Sequence, residues 1–148
     1  MPSSVVLDPT SGDITFGELV VPLHSELIDL SSSFSRSEQV THIEGKLVPC
    51  VFASASLQER ETKFDLSLRY EQGRLVRAAL SIEPRQFRDL QGDAFYESSD
   101  ARYSYHRNWL KKMSLPSSGY AETSWGAVGV ARDKSENVFI FLQAGRRL

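Results

Sequence analysis

Apolar and polar positions alternate with period two between Lys63 and Glu83. Phe64, Leu66, Leu68 and Tyr70 are interleaved with Lys63, Asp65, Ser67 and Arg69, and Val76, Ala78, Leu80 and Ile82 with Arg77, Ala79, Ser81 and Glu83. That is the period of a half-buried strand. With Gln72-Gly73 as the turn, the two runs predict an antiparallel hairpin with one apolar and one wet face. Upstream, Val5–Leu7, the turn-rich Asp8-Pro9-Thr10-Ser11-Gly12-Asp13, and then Ile14, Phe16 and Leu19 to Val21 predict an N-terminal hairpin ended by Pro22. Val40–Ile43 and Leu47–Ala55 predict two strands joined across Glu44-Gly45. Pro49 makes the second an edge or broken strand, and polar Leu57–Glu61 predicts a turn. Ser124–Ala131 and Val138–Gln143 are apolar on both faces, which predicts a C-terminal hairpin central in the sheet or sandwiched between sheet and helix.

The period lengthens in two places. Ala101, Tyr105, Trp109 and Met113 fall on one i, i+4 row beside His106 and Leu110, predicting a helix from about Asp100 to Met113. Ser99 is its expected N-cap, and Lys111 and Lys112 in the last turn suit the helix dipole. Leu23, Leu27, Leu30 and Phe34 also have helical spacing, predicting a short helix over Glu26–Leu30 capped by Ser25. A polar loop through Ser31-Ser32-Ser33 follows. Arg85 to Glu97 is mixed and predicts no element. Without βαβ alternation the expected class is α+β: one domain over residues 1–148, an antiparallel sheet of hairpins with two helices packed on one face.

Composition adds bounds. At 148 residues, 41% hydrophobic and 24% charged, the chain has the make-up of one ordinary globular domain. Met1 to Asp13 holds no basic segment followed by an apolar core, and no stretch approaches the roughly 18 apolar residues of a membrane span. One cysteine, Cys50, cannot form an intramolecular disulfide, so the cytoplasm is the expected compartment. The net charge of −2 argues against nucleic acid as partner. Residues 1–45 carry seven acids and one base, whereas the remainder carries 12 acids and 16 bases. Asp8, Asp13, Glu18, Glu26 and Asp29 are therefore the candidate partner-binding residues, suited to steering a basic partner if they share a surface. The competing expectation is that they scatter over separate solvated faces. Arg146 and Arg147 form a short basic tail.

Chemistry finds no anchor. His24, His42 and His106 fall in a loop, a strand and a helix, and neither HExxH nor CxxC occurs, so no metal or cofactor site is expected. His106, beside the Trp109 row, is expected to be hydrogen-bonded at the core margin. The serines lie in loops and caps without a GxSxG elbow, so no catalytic residue is assigned. Gly126 and Gly129 have neither P-loop nor GxGxxG spacing. They are expected to allow a bulge or close packing of a side chain such as Trp109. Arg102, Arg107, Lys111 and Lys112 among Tyr103, Tyr105 and Trp109 fit an amphipathic helix docked on a core better than a single-strand nucleic-acid platform. By elimination the chain is expected to be a non-catalytic protein-binding module. A homodimer is possible if Val5–Leu7 or Leu47–Ala55 leaves an open edge. The alternatives are a chaperone or adaptor for a secreted effector, and a ligand-binding or enzymatic domain with a pocket lined by Trp and Tyr.

Asp8-Pro9-Thr10-Ser11-Gly12-Asp13-Ile14-Thr15-Phe16, Val21-Pro22-Leu23-His24-Ser25-Glu26-Leu27 and the Arg69 to Arg77 hairpin resemble small bacterial immunity proteins, partners of secreted polymorphic or type VI toxins. So do His106-Arg107-Asn108-Trp109-Leu110, Ser124-Trp125-Gly126-Ala127-Val128, and Asp133-Lys134 with its closing apolar strand. The resemblance implies an inactive α+β module of the cytoplasm that plugs a cognate effector's active site or holds it inactive.

Overall fold

In the computed structural model, which describes residues 4–145, a small and a large antiparallel sheet face each other across the core. The basic pair Arg146-Arg147 lies outside the described residues. The small sheet is β1 (Val5–Leu7), β2 (Ile14–Phe16) and β3 (Leu19–Val21), paired in that order. The large sheet is a meander of β4 (Ser35–Ile43), β5 (Lys46–Glu59), β6 (Thr62–Glu71) and β7 (Arg74–Glu83), continued by β8 (Ala121–Thr123), β9 (Gly126–Arg132) and β10 (Val138–Ala144). Its order is β4-β5-β6-β7-β10-β9-β8. Two helices, α1 (Gly92–Glu97) and α2 (Ser99–Lys112), lie on one side. The class is α+β, as the patterning predicts.

The alternation sets which face is dry. Phe64, Leu66, Leu68 and Tyr70 are buried on β6 and stand opposite Ile82, Leu80, Ala78 and Leu75 of β7. A register shift between Arg69 and Tyr70 places Leu75, rather than the expected Val76, in the core row. Ile140 and Leu142 extend the row onto β10, and Val130 and Val128 onto β9. This face is covered by the small sheet and by α2, whose Trp109 ring packs against Phe64. The other face is wet, with ion pairs Arg69–Glu71 (3.2 Å) and Lys63–Asp65 (3.8 Å). Arg77 crosses the Phe141 ring there at 5.1 Å. β10 is central in the sheet, one of the two placements expected for the C-terminal hairpin.

Trp125 fastens the small sheet to the large one. Its Nε1–H donates to the Pro9 carbonyl (3.0 Å), its own carbonyl meets His24 Nε2 (3.1 Å), and its ring lies flat enough on Gly12 to exclude a Cβ there.

Several expected boundaries move. β4 starts at Ser35, not Val40, and β5 runs to Glu59 through the expected Leu57–Glu61 turn, because Leu57 to Glu59 pair with Phe64 to Thr62 of β6. β5 is unbroken; it is interior from Cys50 to Ser54 and an edge, bonded to β4 alone, over Lys46–Pro49. The two-residue turn Glu44-Gly45, with φ of 51° and 78°, makes Ile43–Lys46 a hydrogen-bonded pair. Counting back, Val40–Pro49 is a non-hydrogen-bonded pair, so the missing Pro49 N–H would point away from β4. β6 pairs with β5 only from Cys50 onward, so no ladder bond is lost there.

The helix expected over Glu26–Leu30 is a single 3-10 turn, Leu27–Asp29, and Ser25 does not cap it. Ser25 is held extended instead: its carbonyl accepts from Leu75 N–H (3.0 Å), and Leu27 N–H donates to Gly73 (2.8 Å). α1 lies in the segment that predicts no element. Ser98, itself helical, joins it to α2, and neither Ser98 nor Ser99 caps by side chain. Ser99 is the first residue of α2 and bonds Glu136 (2.7 Å). Gly126 and Gly129 admit close backbone rather than Trp109: a Cβ at Gly126 would collide with the Gln143 carbonyl, and one at Gly129 with the Gly119 carbonyl.

Candidate binding surface

The residue types that carry chemistry are used by the fold. His106 is 1% exposed. Its Nε2 accepts from the Ile82 N–H (3.1 Å), which fixes the proton on Nδ1, and Nδ1–H donates to the Arg102 carbonyl (2.7 Å). Burial pushes its pKa below the ordinary value; the bond to the Arg102 carbonyl opposes this and the Arg102 charge adds to it. The ring is a neutral clasp between α2 and β7. Arg102 is buried over the Phe95 ring at 4.1 Å, and its guanidinium donates to Ser98 Oγ and to the Glu136 and Phe95 carbonyls. One of the four bases on the aromatic helix is thus turned inward. Cys50 is buried, its thiol towards the Val48 carbonyl at 3.6 Å. Among the described residues no three His, Cys, Asp or Glu side chains are grouped to hold a metal, and no helix is long and apolar enough to cross a membrane.

The five candidate acids have different local roles. Asp8 and Asp13 close the β1–β2 turn: Asp8 Oδ1 accepts from Thr10 N–H (2.8 Å) and Asp13 Oδ1 from Leu23 N–H (3.2 Å). Turn geometry is reason enough for both. Glu18 is exposed in the β2–β3 turn and lines none of the depressions described next. Glu26 and Asp29 bracket Ile28 at the 3-10 turn, joined by a main-chain hydrogen bond from Asp29 N–H to the Glu26 carbonyl (3.0 Å).

That turn stands among three adjoining depressions. A cavity of about 380 Å³ is lined by Asp29, Ser25, Phe34 and Tyr70; one of about 400 Å³ by Tyr70, Glu38, Val40 and Gln72; one of about 470 Å³ by Glu26, Ile28, Arg36 and Gln72. Tyr70 is 1% exposed. Its buried hydroxyl meets no partner in full hydrogen-bond geometry although the Ser25 hydroxyl lies beside it. Burial raises its pKa, with Ser25 and Arg36 pulling the other way. Ile28 is 85% exposed, and Val20, Val40 and Leu47 are between 61% and 64% exposed. Val20 and Val40 belong to the first two depressions. Among the described residues neither Glu26 nor Asp29 has an ion pair.

Sequence reasoning missed Ile28, Tyr70 and Glu38 as surface formers. Tyr70 belongs to the period-two core row, Ile28 looks like one more core residue of a helix, and Glu38 falls in a stretch that looks like loop. No family model, no curated protein and no solved structure matches the chain.

Proposed function

We propose that the chain is a non-catalytic protein-binding module that docks a basic partner on the Ile28 turn. In its specific form it is a cytoplasmic immunity protein that neutralises a secreted bacterial toxin. One observation carries the docking: an 85% exposed isoleucine flanked by two unpaired carboxylates, on a turn pinned to the β6–β7 turn and the start of β7 by main-chain hydrogen bonds at Gly73 and Leu75. A rigid turn loses little entropy on binding, an apolar crest supplies a desolvated anchor, and the flanking acids steer a basic surface. The immunity reading is supported by the motif resemblance given above and by a protruding turn suited to plugging a cleft.

The test compares tagged wild type with Glu26→Lys/Asp29→Lys in capture from the producing cells. The expected result is one dominant partner bearing a toxin domain, inactivated at one-to-one stoichiometry by wild type and lost by the variant. Equal retention by the variant removes the Ile28 turn from the interface, and absence of any stoichiometric protein partner removes the binding module. A captured partner that fails to be secreted without this protein, rather than becoming toxic, makes the chain a chaperone.

The Tyr70 hydroxyl favours a second reading. An unsatisfied buried donor beside a cavity of about 380 Å³ lined by Phe34 and Leu30 suits a small, largely apolar ligand with one acceptor. Thermal shift of wild type against Tyr70→Phe across a fragment library tests it. Hits lost in the variant support the ligand, and hits indifferent to it do not.

A further inference from the structure

We infer that two copies of the chain pair through β4, antiparallel about a two-fold axis at Val40, so that the seven-stranded sheet continues from one copy into the other. β4 is nine residues long, has no buried residue, and is bonded on one side only. The edges expected from sequence are not the ones available: Leu47–Ala55 is interior from Cys50 onward, and the start of β1 is tied down by Ser4 N–H and Oγ donating to Glu59.

The Glu44-Gly45 turn decides which main-chain groups β4 offers. Ile43–Lys46 is a hydrogen-bonded pair, so residues 43, 41, 39, 37 and 35 spend their N–H and C=O on β5. Residues 36, 38, 40 and 42 point theirs outward, unpaired. Exposed edges are ordinarily blunted by lysine, proline or a bulge. β4 has no lysine and no proline, and its register with β5 is unbroken from Ser35 to Ile43.

Charge and overlap together select the register: an axis at Ser37 sets Arg36 against Glu38 but carries Val40 and His42 past the end of β4 in the second copy. A two-fold axis at Glu38 sets Glu38 against itself, and one at Thr41 sets Glu38 against Glu44. An axis at Gln39 puts Arg36 against His42 and apolar Val40 against Glu38. With the axis at Val40, Val40 meets Val40, Glu38 meets His42, and Arg36 meets Glu44 of the second copy, each twice by symmetry. An isologous contact of this kind requires such self-complementarity: Arg36–Glu44 is an opposite-charge pair, Val40–Val40 a β-branched one, and the His42 ring N–H can donate to the Glu38 carboxylate. These side chains project on one face of the ribbon, beside Leu47 and Pro49, which stand opposite His42 and Val40 within each copy. Pairing therefore covers Val40 and Leu47, now 63% and 64% exposed, and adds about six inter-chain main-chain bonds.

Sedimentation equilibrium of the full chain up to millimolar concentration tests the pairing. A reversible dimer is expected for wild type. Val40→Lys, which sets two ammonium groups face to face at the axis, is expected to raise the dissociation constant at least about 100-fold. Glu38→Lys and His42→Glu are each expected to weaken the dimer, and the double variant Glu38→Lys/His42→Glu to restore it, since the swap rebuilds the pair only between copies in this register. Because β4 is exposed, circular dichroism should show every variant folded. A monomeric wild type overturns the inference, as does a dimer indifferent to Val40→Lys or a double variant no tighter than the single ones. Glu26 and Asp29 are untouched, so the outcome is independent of the Ile28 docking test.

Discussion

Replacing His106 by Gln gives a readable test of the α2–β7 clasp. The folded imidazole is neutral, 1% exposed, and holds its pKa below the ordinary 6.5 because burial disfavours the cation. Protonation would also put a second N–H in front of the Ile82 N–H, where an acceptor now stands. Below about pH 6.5 the unfolded chain therefore binds a proton that the folded protein refuses, and stability falls with falling pH by up to about 1.4 kcal/mol per unit. The contribution is complete above 6.5 and is lost as pH drops, until the folded ring itself titrates. Between pH 7.5 and 5.5 the loss from this one group reaches at most about 1.4 kcal/mol if the folded ring stays neutral. In His106→Gln the side-chain oxygen keeps an acceptor near Ile82, and the group does not titrate. The variant should lose about 1–3 kcal/mol at pH 7.5 from ring packing and altered hydrogen bonding. Its stability should then decline less than that of wild type down to pH 5.5. Urea unfolding at both pH values measures the difference of differences, in which the pH dependence of every other group cancels. Parallel pH profiles for the two proteins would refute the neutral clasp; His106→Asn, retaining a donor towards Arg102, repeats the comparison.

Two further outcomes follow from local geometry. Tyr70→Phe removes a buried hydroxyl that lacks a full partner, so stability measured by chemical denaturation should be unchanged or higher by up to about 1 kcal/mol, and a loss above about 1.5 kcal/mol would mean that Ser25 is a real partner. Gly126→Ala and Gly129→Ala each drive a methyl group into a carbonyl of a neighbouring segment, and each should cost more than about 2 kcal/mol in the same assay; a change within about 0.5 kcal/mol at either site would show that the backbone there yields.

The parts of this fold legible in the sequence are those where burial writes the pattern. Residues 63–83 alternate because one face meets the small sheet and α2, and the C-terminal hairpin is apolar throughout because β10 has neighbours on both edges and Phe141 is covered on the far face by Arg77 and Tyr120. Where pairing rather than burial makes the strand, the pattern is silent. Ser35 to Gln39 is all polar yet extended, its strand made by pairing with β5. Leu27 and Leu30 have helical spacing but pack as two points of a single turn whose entry bonds Gly73, between β6 and β7, instead of continuing a helix. The acidic excess of the first third was visible, but its division was not. Asp13 bonds a residue ten positions away, and whether an acid caps a turn or faces solvent depends on contacts that charge counting does not see.

The seam between β7 and β10 has a consequence for how the chain acquires its shape. Every other neighbour in the large sheet is reached by a short turn, whereas Arg77–Leu80 joins Ile140–Gln143 only after about sixty intervening residues have been brought round, a closure costing about 3–4 kcal/mol of chain entropy. On the ribosome the meander from β4 to β7 emerges first, with β7 as a raw inner strand whose apolar side chains await a neighbour. Until residues 138–144 leave the exit tunnel, that strand is where a nascent chain can pair wrongly or recruit a holdase. The slow step of assembly is then the docking of the C-terminal hairpin, and truncation just before Val138 exposes the strand most prone to aggregate.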